Sequence, residues 1–219
     1  MTTFSLCLYA NNLPAKSRAS LASAIRVCYV VAGDATLRSA GQVATLAANS
    51  AWHGSSELTV QAGANGATLA RFELVRAGAP SILAAGDAVR SECVLAHDLE
   101  LGAADKYLIR CDRVDFPLGG IAYTHTHQGG GIRRLLQGGI RIETAGKVHD
   151  VAPGGAWFES GPDPVLAHAS TQALTSFVRV MILPLMLQGK SSIRYVHAED
   201  ADKPKLQQYQ LFVDDPLPT

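Results

Sequence analysis

Residues Gly119–Gly139 read GGIAYTHTHQGGGIRRLLQGG, and the pair His125-Thr126-His127 sits at the centre of this stretch. The run Ile121–His127 alternates as a strand does. Successive side chains on a strand point to opposite faces, which puts Tyr123, His125 and His127 on one face. Two neutral imidazoles aimed at one point supply half of a transition-metal site. Two histidines on a strand face also occur as a simple solvated pair, so the spacing alone leaves both readings open. A glycine-rich turn and a second apolar strand follow. If that strand keeps parity with His127, Arg133 and Leu135 face inward with it.

Composition narrows the class of protein. The chain has 219 residues, 19 basic and 19 acidic, with 47% apolar and 17% charged residues. A net charge of zero gives no electrostatic footprint for nucleic acid or for an anionic membrane surface. The start, MTTFSLCLYANNLPAKS, lacks the basic residues and long apolar run of a signal peptide. The run VMILPLML is too short to span a bilayer and contains Pro184. Cys7, Cys28, Cys93 and Cys111 show no zinc-type spacing and are expected as reduced thiols of a cytoplasmic protein.

Working outward, the apolar runs IRVCYVV, LTVQ, ATLARFEL, KYLIRC, IRIE and SFVRVMIL are short, β-rich and bounded by Gly, Pro, Asn or Asp. They predict an all-β protein. One segment, SILAAGDAVRSECVLAHDLE from position 81 to 100, is compatible with a helix. Sliding residues 27–72 onto 132–177, a constant shift of 105, aligns Gly33 with Gly138, Ala40 with Ala145, Gly41 with Gly146, Trp52 with Trp157 and Phe72 with Phe177. The paired Trp and Phe predict a duplicated β-domain. The expected division is a first domain over 1–80, a linker over 81–104 and a second domain over 105–219.

Gly119, His125, His127 and Gly138 resemble the first motif of the cupin superfamily: glycine, five residues, His-x-His, three or four residues, Glu, six residues, glycine. The chain departs from it at Gly131, where the Glu would stand. Gly146-Lys-Val-His-Asp-Val-Ala-Pro-Gly-Gly155 and the residues up to Val165 are similar to the second motif, with Val165 where that motif has a histidine. The resemblance covers about 110–180 and, through the repeat, about 20–75. It implies two tandem cupin barrels (double-stranded β-helices, or jelly rolls) with few short helices. It also implies a divalent transition metal (Fe, Mn, Ni or Zn) and, as the commonest chemistry, dioxygenase activity.

The first copy carries Ser20, Ala22 and Gly54 at the positions of His125, His127 and Glu159, so the site is expected in the second copy only. His53 is read as structural, since one imidazole makes no site. His149 is expected to be exposed. The expected metal ligands are His125, His127 and Glu159. A carboxylate among the apolar residues Ala156–Phe158 is costly to bury unless paired or metal-bound. His168 is the other candidate, although its odd spacing from Val165 turns it outward in a regular strand. Tyr123, Arg133 and Trp157 are the expected substrate contacts, Arg133 for a carboxylate; a structural salt bridge is its other reading. The tail KPKLQQYQLFVDDPLPT is expected as an edge strand or a dimer arm, and the chain as a homodimer. Three functions follow: a metal-dependent enzyme acting on a small anionic molecule, a non-catalytic small-molecule-binding bicupin, or a metal-free isomerase with His125 or His127 as base.

Overall fold

The structure, a computed structural model, describes residues 1–79, 86 and 88–218. Strands make up 65% of it and helix 3%, and the strands form antiparallel sheets. Two compact units divide the chain, Met1–Ala104 and Asp105–Thr219.

The first unit contains β1 (Thr2–Leu13), β2 (Arg18–Leu21), β3 (Ile25–Ser39), β4 (Gln42–Ala47), β5 (Ser50–Gly54), β6 (Leu58–Arg76) and β7 (Arg90–Leu101). They form one sheet of order β4-β3-β6-β1-β7, with β2 on β6 and β5 on β3. Long β3 and β6 hold it together, and β3 breaks register twice, between Val30 and Ala32 and between Gly33 and Ala35. Positions 90–101, expected within a helix and a linker, are instead β7, paired to β1 from Leu101↔Thr2 to Arg90↔Asn12. Alternation explains it: Thr3 bonds Glu100 and Ser5 bonds Asp98 on one face of this pair. The remainder of the helix expectation falls mostly outside the described residues.

The second unit contains β8 (Tyr107–Phe116), β9 (Ile121–His127), β10 (Gly131–Gln137), β11 (Ile140–Thr144), β12 (Lys147–Val151), β13 (Ala156–Glu159), β14 (Val165–Ala169) and β15 (Thr175–Pro184). After them come β16 (Ile193–Tyr195), a one-turn helix α1 (Ala198–Ala201) and β17 (Gln208–Pro216). Two five-stranded sheets result, β13-β10-β15-β8-β17 and β12-β11-β14-β9-β16. The tail is the edge strand β17, paired with β8.

Strand pairing tests the internal repeat residue by residue. The β3–β4 hairpin turns at Ala40 (φ 48°) and Gly41 (φ 77°), the β11–β12 hairpin at Ala145 (φ 49°) and Gly146 (φ 70°). Two-residue turns with positive φ at both positions match the twist of the flanking strands, and that is why both copies tolerate an alanine there. Cys28 faces Trp52 as Arg133 faces Trp157, so the two tryptophans are equivalent. Beyond them the constant shift fails. Ala35 pairs with Ala62 but Ile140 with Ala169, and Cys28 pairs with Arg71 but Arg133 with Arg179. The connection 160–164 is two residues longer than 55–57, and one more residue enters before β15. Phe72 and Phe177 are therefore not counterparts, whereas Arg71 and Arg179 are.

In the second unit the interior is layered. Val114, Phe116, Leu135, Ile140, Ile142, Trp157, Val165, Ala167 and Phe177 form one apolar cluster, and Leu108, Met181, Leu183 and Leu187 another. Along β15 the inward residues run Phe177, Arg179, Met181, Leu183; along β8 they run Leu108, Arg110, Asp112, Val114. A charged layer thus lies between two apolar ones.

Candidate metal centre

His125 and His127 reach that layer from β9, Glu159 from β13 and Arg133 from β10; all are 6% exposed or less. Gly131 faces Glu159 across the β10–β13 pair, with Met181 on its other side. A Cβ at Gly131 would run into the Val180 carbonyl oxygen and come within 2.7 Å of Met181 Cγ. That position therefore cannot carry a ligand side chain, and the carboxylate arrives from the neighbouring strand.

The two imidazoles stand edge to face, with ring centroids 4.8 Å apart and an 86° interplanar angle. Their Nε2 atoms are 3.2 Å apart, and His127 Nε2 is 3.3 Å from Glu159 Oε2. The three donor atoms lie within 4.8 Å of one another, the one such group of His, Cys, Asp or Glu among the described residues. His125 Nδ1 lies 2.7 Å from the Tyr123 carbonyl oxygen. A carbonyl only accepts, so Nδ1 carries the proton and Nε2 keeps its lone pair. His127 Nδ1 is 3.2 Å from Ser192 Oγ, a hydroxyl that can accept from it in turn. Outer partners of this kind fix tautomer and ring orientation. Ser192→Ala is accordingly expected to weaken divalent-metal binding about 10–100-fold with little change in stability; competition with a chromogenic chelator measures it, and unchanged affinity would remove the orienting role.

Electrostatics keep the histidines neutral. Burial lowers His125 and takes His127 down to about 4, against the opposing pull of Glu159. Burial acts to raise Glu159, but Arg133 and His127 outweigh it and hold the carboxyl well below its usual range. Arg133 Nη2 is 2.6 Å from Oε2 in an ion pair, and Trp157 Nε1–H donates to Oε1 at 2.8 Å. Burial lowers Arg133 to about 10. Beside it, Arg179 is held by Asp112 through Nε (2.6 Å) and Nη2 (3.0 Å). The donor set fits a divalent ion: two Nε2 lone pairs and one carboxylate oxygen converge. The cavity that they line together with Trp157, Phe177 and other apolar residues is about 20 Å³, room for about one water.

The structure thus brings together His125, His127 and Glu159. It corrects the expected placement of Tyr123. Tyr123 does not share the histidines' face: the β9–β14 pairing slips between His125↔Val165 and Ala122↔Ala167, so Ala122 takes the inward place. The Tyr123 ring lies under Lys203 and Lys205 instead. Arg133 is inward but occupied by Glu159 and the Gly131 carbonyl. Trp157 lines the cavity, with its N–H given to Glu159. His168 alternates outward from buried Val165 and Ala167, and His149 is exposed. Arg179, Asp112 and Ser192 were not singled out. Arg179 carried a signal, a lone charge inside an apolar strand; Asp112, among the charges of β8, and Ser192 carried none.

A double-sheet β-barrel with a buried two-histidine, one-carboxylate site defines the class. No family model and no curated protein matches the sequence. Among solved structures, AerE from Microcystis aeruginosa is similar at 15% identity and a TM-score of 0.57, covering 84% of this chain and 88% of that one. Oxalate decarboxylase from Bacillus subtilis is similar at 8% identity and a TM-score of 0.63, covering 93% and 72%. Ylba from E. coli gives 13% and 0.51, covering 81% and 76%. These neighbours are cupin-type proteins, and the chain has the cupin fold.

Proposed function

We propose that the chain is a bicupin whose second unit binds one divalent transition metal through His125, His127 and Glu159 and acts on a small anionic organic molecule, with dioxygenase chemistry. The observation that carries this is the convergence of three neutral or anionic donors in a buried layer, each oriented by an outer partner. Two histidines and one carboxylate with open positions form the donor set of non-haem iron oxygenases, and a bound metal would supply Lewis-acid and redox chemistry. Around it Arg133 and Trp157 lock Glu159, while Ser192 and the Tyr123 carbonyl set the imidazole tautomers. The buried charges Arg133, Arg179, Glu159 and Asp112 cancel. A dication added there leaves excess positive charge at low dielectric, which favours an anionic ligand. The first unit, where a buried Arg26–Glu73–Arg71 group occupies the interior, has a structural role. The free cysteines, three of them buried, suit a reducing compartment.

A second reading is favoured by one observation: the Arg133–Glu159 pair already balances the interior without metal. The chain would then bind a small molecule without turnover. Metal content after chelation and reconstitution decides between them. One equivalent per chain is expected, lost in His125→Ala/His127→Ala, weakened in Glu159→Gln and retained in His53→Ala. Two tight equivalents, or none, would end the metal reading. Oxygen uptake by the iron-loaded protein with small organic acids tests the dioxygenase step, and acids that bind without uptake favour the second reading.

A further inference from the structure

Beside the buried centre, β8, β15, β17 and the segment 189–195 enclose a pocket of about 360 Å³. It shares Arg179, Ile193 and Tyr209 with the inner cavity that His125, His127 and Glu159 line, so the two adjoin, and the outer one is termed the antechamber. Its size is that of a small-ligand site. Four cationic side chains line it (Arg110, Arg179, Lys190 and Lys205) against two carboxylates, Asp112 and Asp214. Arg110 is consumed by Asp214 and two backbone carbonyls. Arg179 spends Nε and Nη2 on Asp112, which leaves its Nη1 protons for another acceptor. Gln207, 7% exposed, lines the same pocket and touches Tyr209, whose ring lies 5.5 Å from the Arg179 guanidinium carbon. The Oε1 atom of Gln207 is buried with no hydrogen-bond partner. An unsatisfied buried amide oxygen is costly, and a ligand donor removes the cost.

We propose that this antechamber binds a small carboxylate that also carries a hydrogen-bond donor, with Arg179 taking the carboxylate and Gln207 Oε1 accepting from the hydroxyl or N–H. The assignment rests on reading the second unit as a small-molecule site and adds the substrate class: a hydroxy or amino acid rather than a plain one. It also moves carboxylate recognition from Arg133, which Glu159 occupies, to its ladder neighbour Arg179.

The test uses the full-length protein, stripped of metal, with malate, succinate and malamide as probes followed by titration calorimetry. Malate and succinate differ by one hydroxyl, and malamide lacks the charges. Malate is expected to bind about tenfold more tightly than succinate, and malamide to bind far more weakly than malate. Gln207→Met should abolish the preference for malate while leaving succinate unchanged. Equal affinities for malate and succinate in the wild-type protein, no binding of malate at millimolar concentration, or malamide binding as well as malate would overturn the proposal. The wild-type comparison stands even if Gln207→Met fails to fold. Metal content measured on the same preparations separates the two readings. Protein that takes up metal but shows no preference for malate retains the metal centre and loses this site. The opposite pattern retains this site and loses the metal centre.

Discussion

Replacing Arg133 with methionine is expected to destabilise the second unit by about 3–5 kcal/mol, because it leaves Glu159 as a buried charge without its partner. Arg133 is fully buried, and its Nη2 lies 2.6 Å from Glu159 Oε2. Methionine keeps most of the apolar stem and fits beside Met181, so lost packing is a minor part of the effect. The remaining partners of the carboxylate, Trp157 Nε1–H and His127, cannot neutralise it while His127 is uncharged. Protonation of Glu159 would then be the way out, and the variant should regain stability toward acid. Adding Glu159→Gln to Arg133→Met should recover most of the loss, since a neutral amide still accepts from Trp157. Urea denaturation of the single and double variants measures this. A single variant within 1 kcal/mol of wild type would show that the pair is not the structural lock of this layer.

The metal-free protein is expected to gain stability as pH rises from 4 to 6.5, by about 3 kcal/mol from His127 alone. The sign follows from burial. His127 titrates near 4 in the fold and near 6.5 when unfolded, so across that window the unfolded chain binds the extra proton. The contribution is complete above 6.5 and lost as pH falls through the folded value. His125, also lowered by burial, adds in the same direction. Glu159 extends the loss further into acid. Its folded pKa is depressed, so its contribution is present above the ordinary glutamate value of about 4.3 and disappears below it. Burial is the main cause for both histidines, and the positive charges of Arg133 and Arg179 add to it. Unfolding free energies from pH 4 to 8 in the presence of chelator test the profile. His127→Gln should flatten the upper part of the curve; an equal slope in that variant would assign the titration elsewhere.

Much of this was already determined by the linear sequence. Alternating apolar runs with Gly, Asn and Asp between them specify an all-β chain, because side-chain period and turn chemistry are local properties. The Ala-Gly turns of the two hairpins and the two tryptophans mark equivalent positions of the two units, and His-x-His marks the strand that carries both histidines. The burial cost of a carboxylate between Trp157 and the next turn pointed to Glu159. Other features were decided only by tertiary pairing. A slip between β9 and β14 moved Tyr123 off the histidines' face, and parity cannot foresee a slip. A connection two residues longer broke the constant shift, so Phe72 and Phe177 matched in sequence without being equivalent. Arg133 was rightly placed inward, but its partner arrives from β13, and which charge meets which in a barrel interior depends on strands distant in the chain. Ser192, Gln207 and most of the residues that line the antechamber come from the segment after β15, where no periodicity signals which side chains line it.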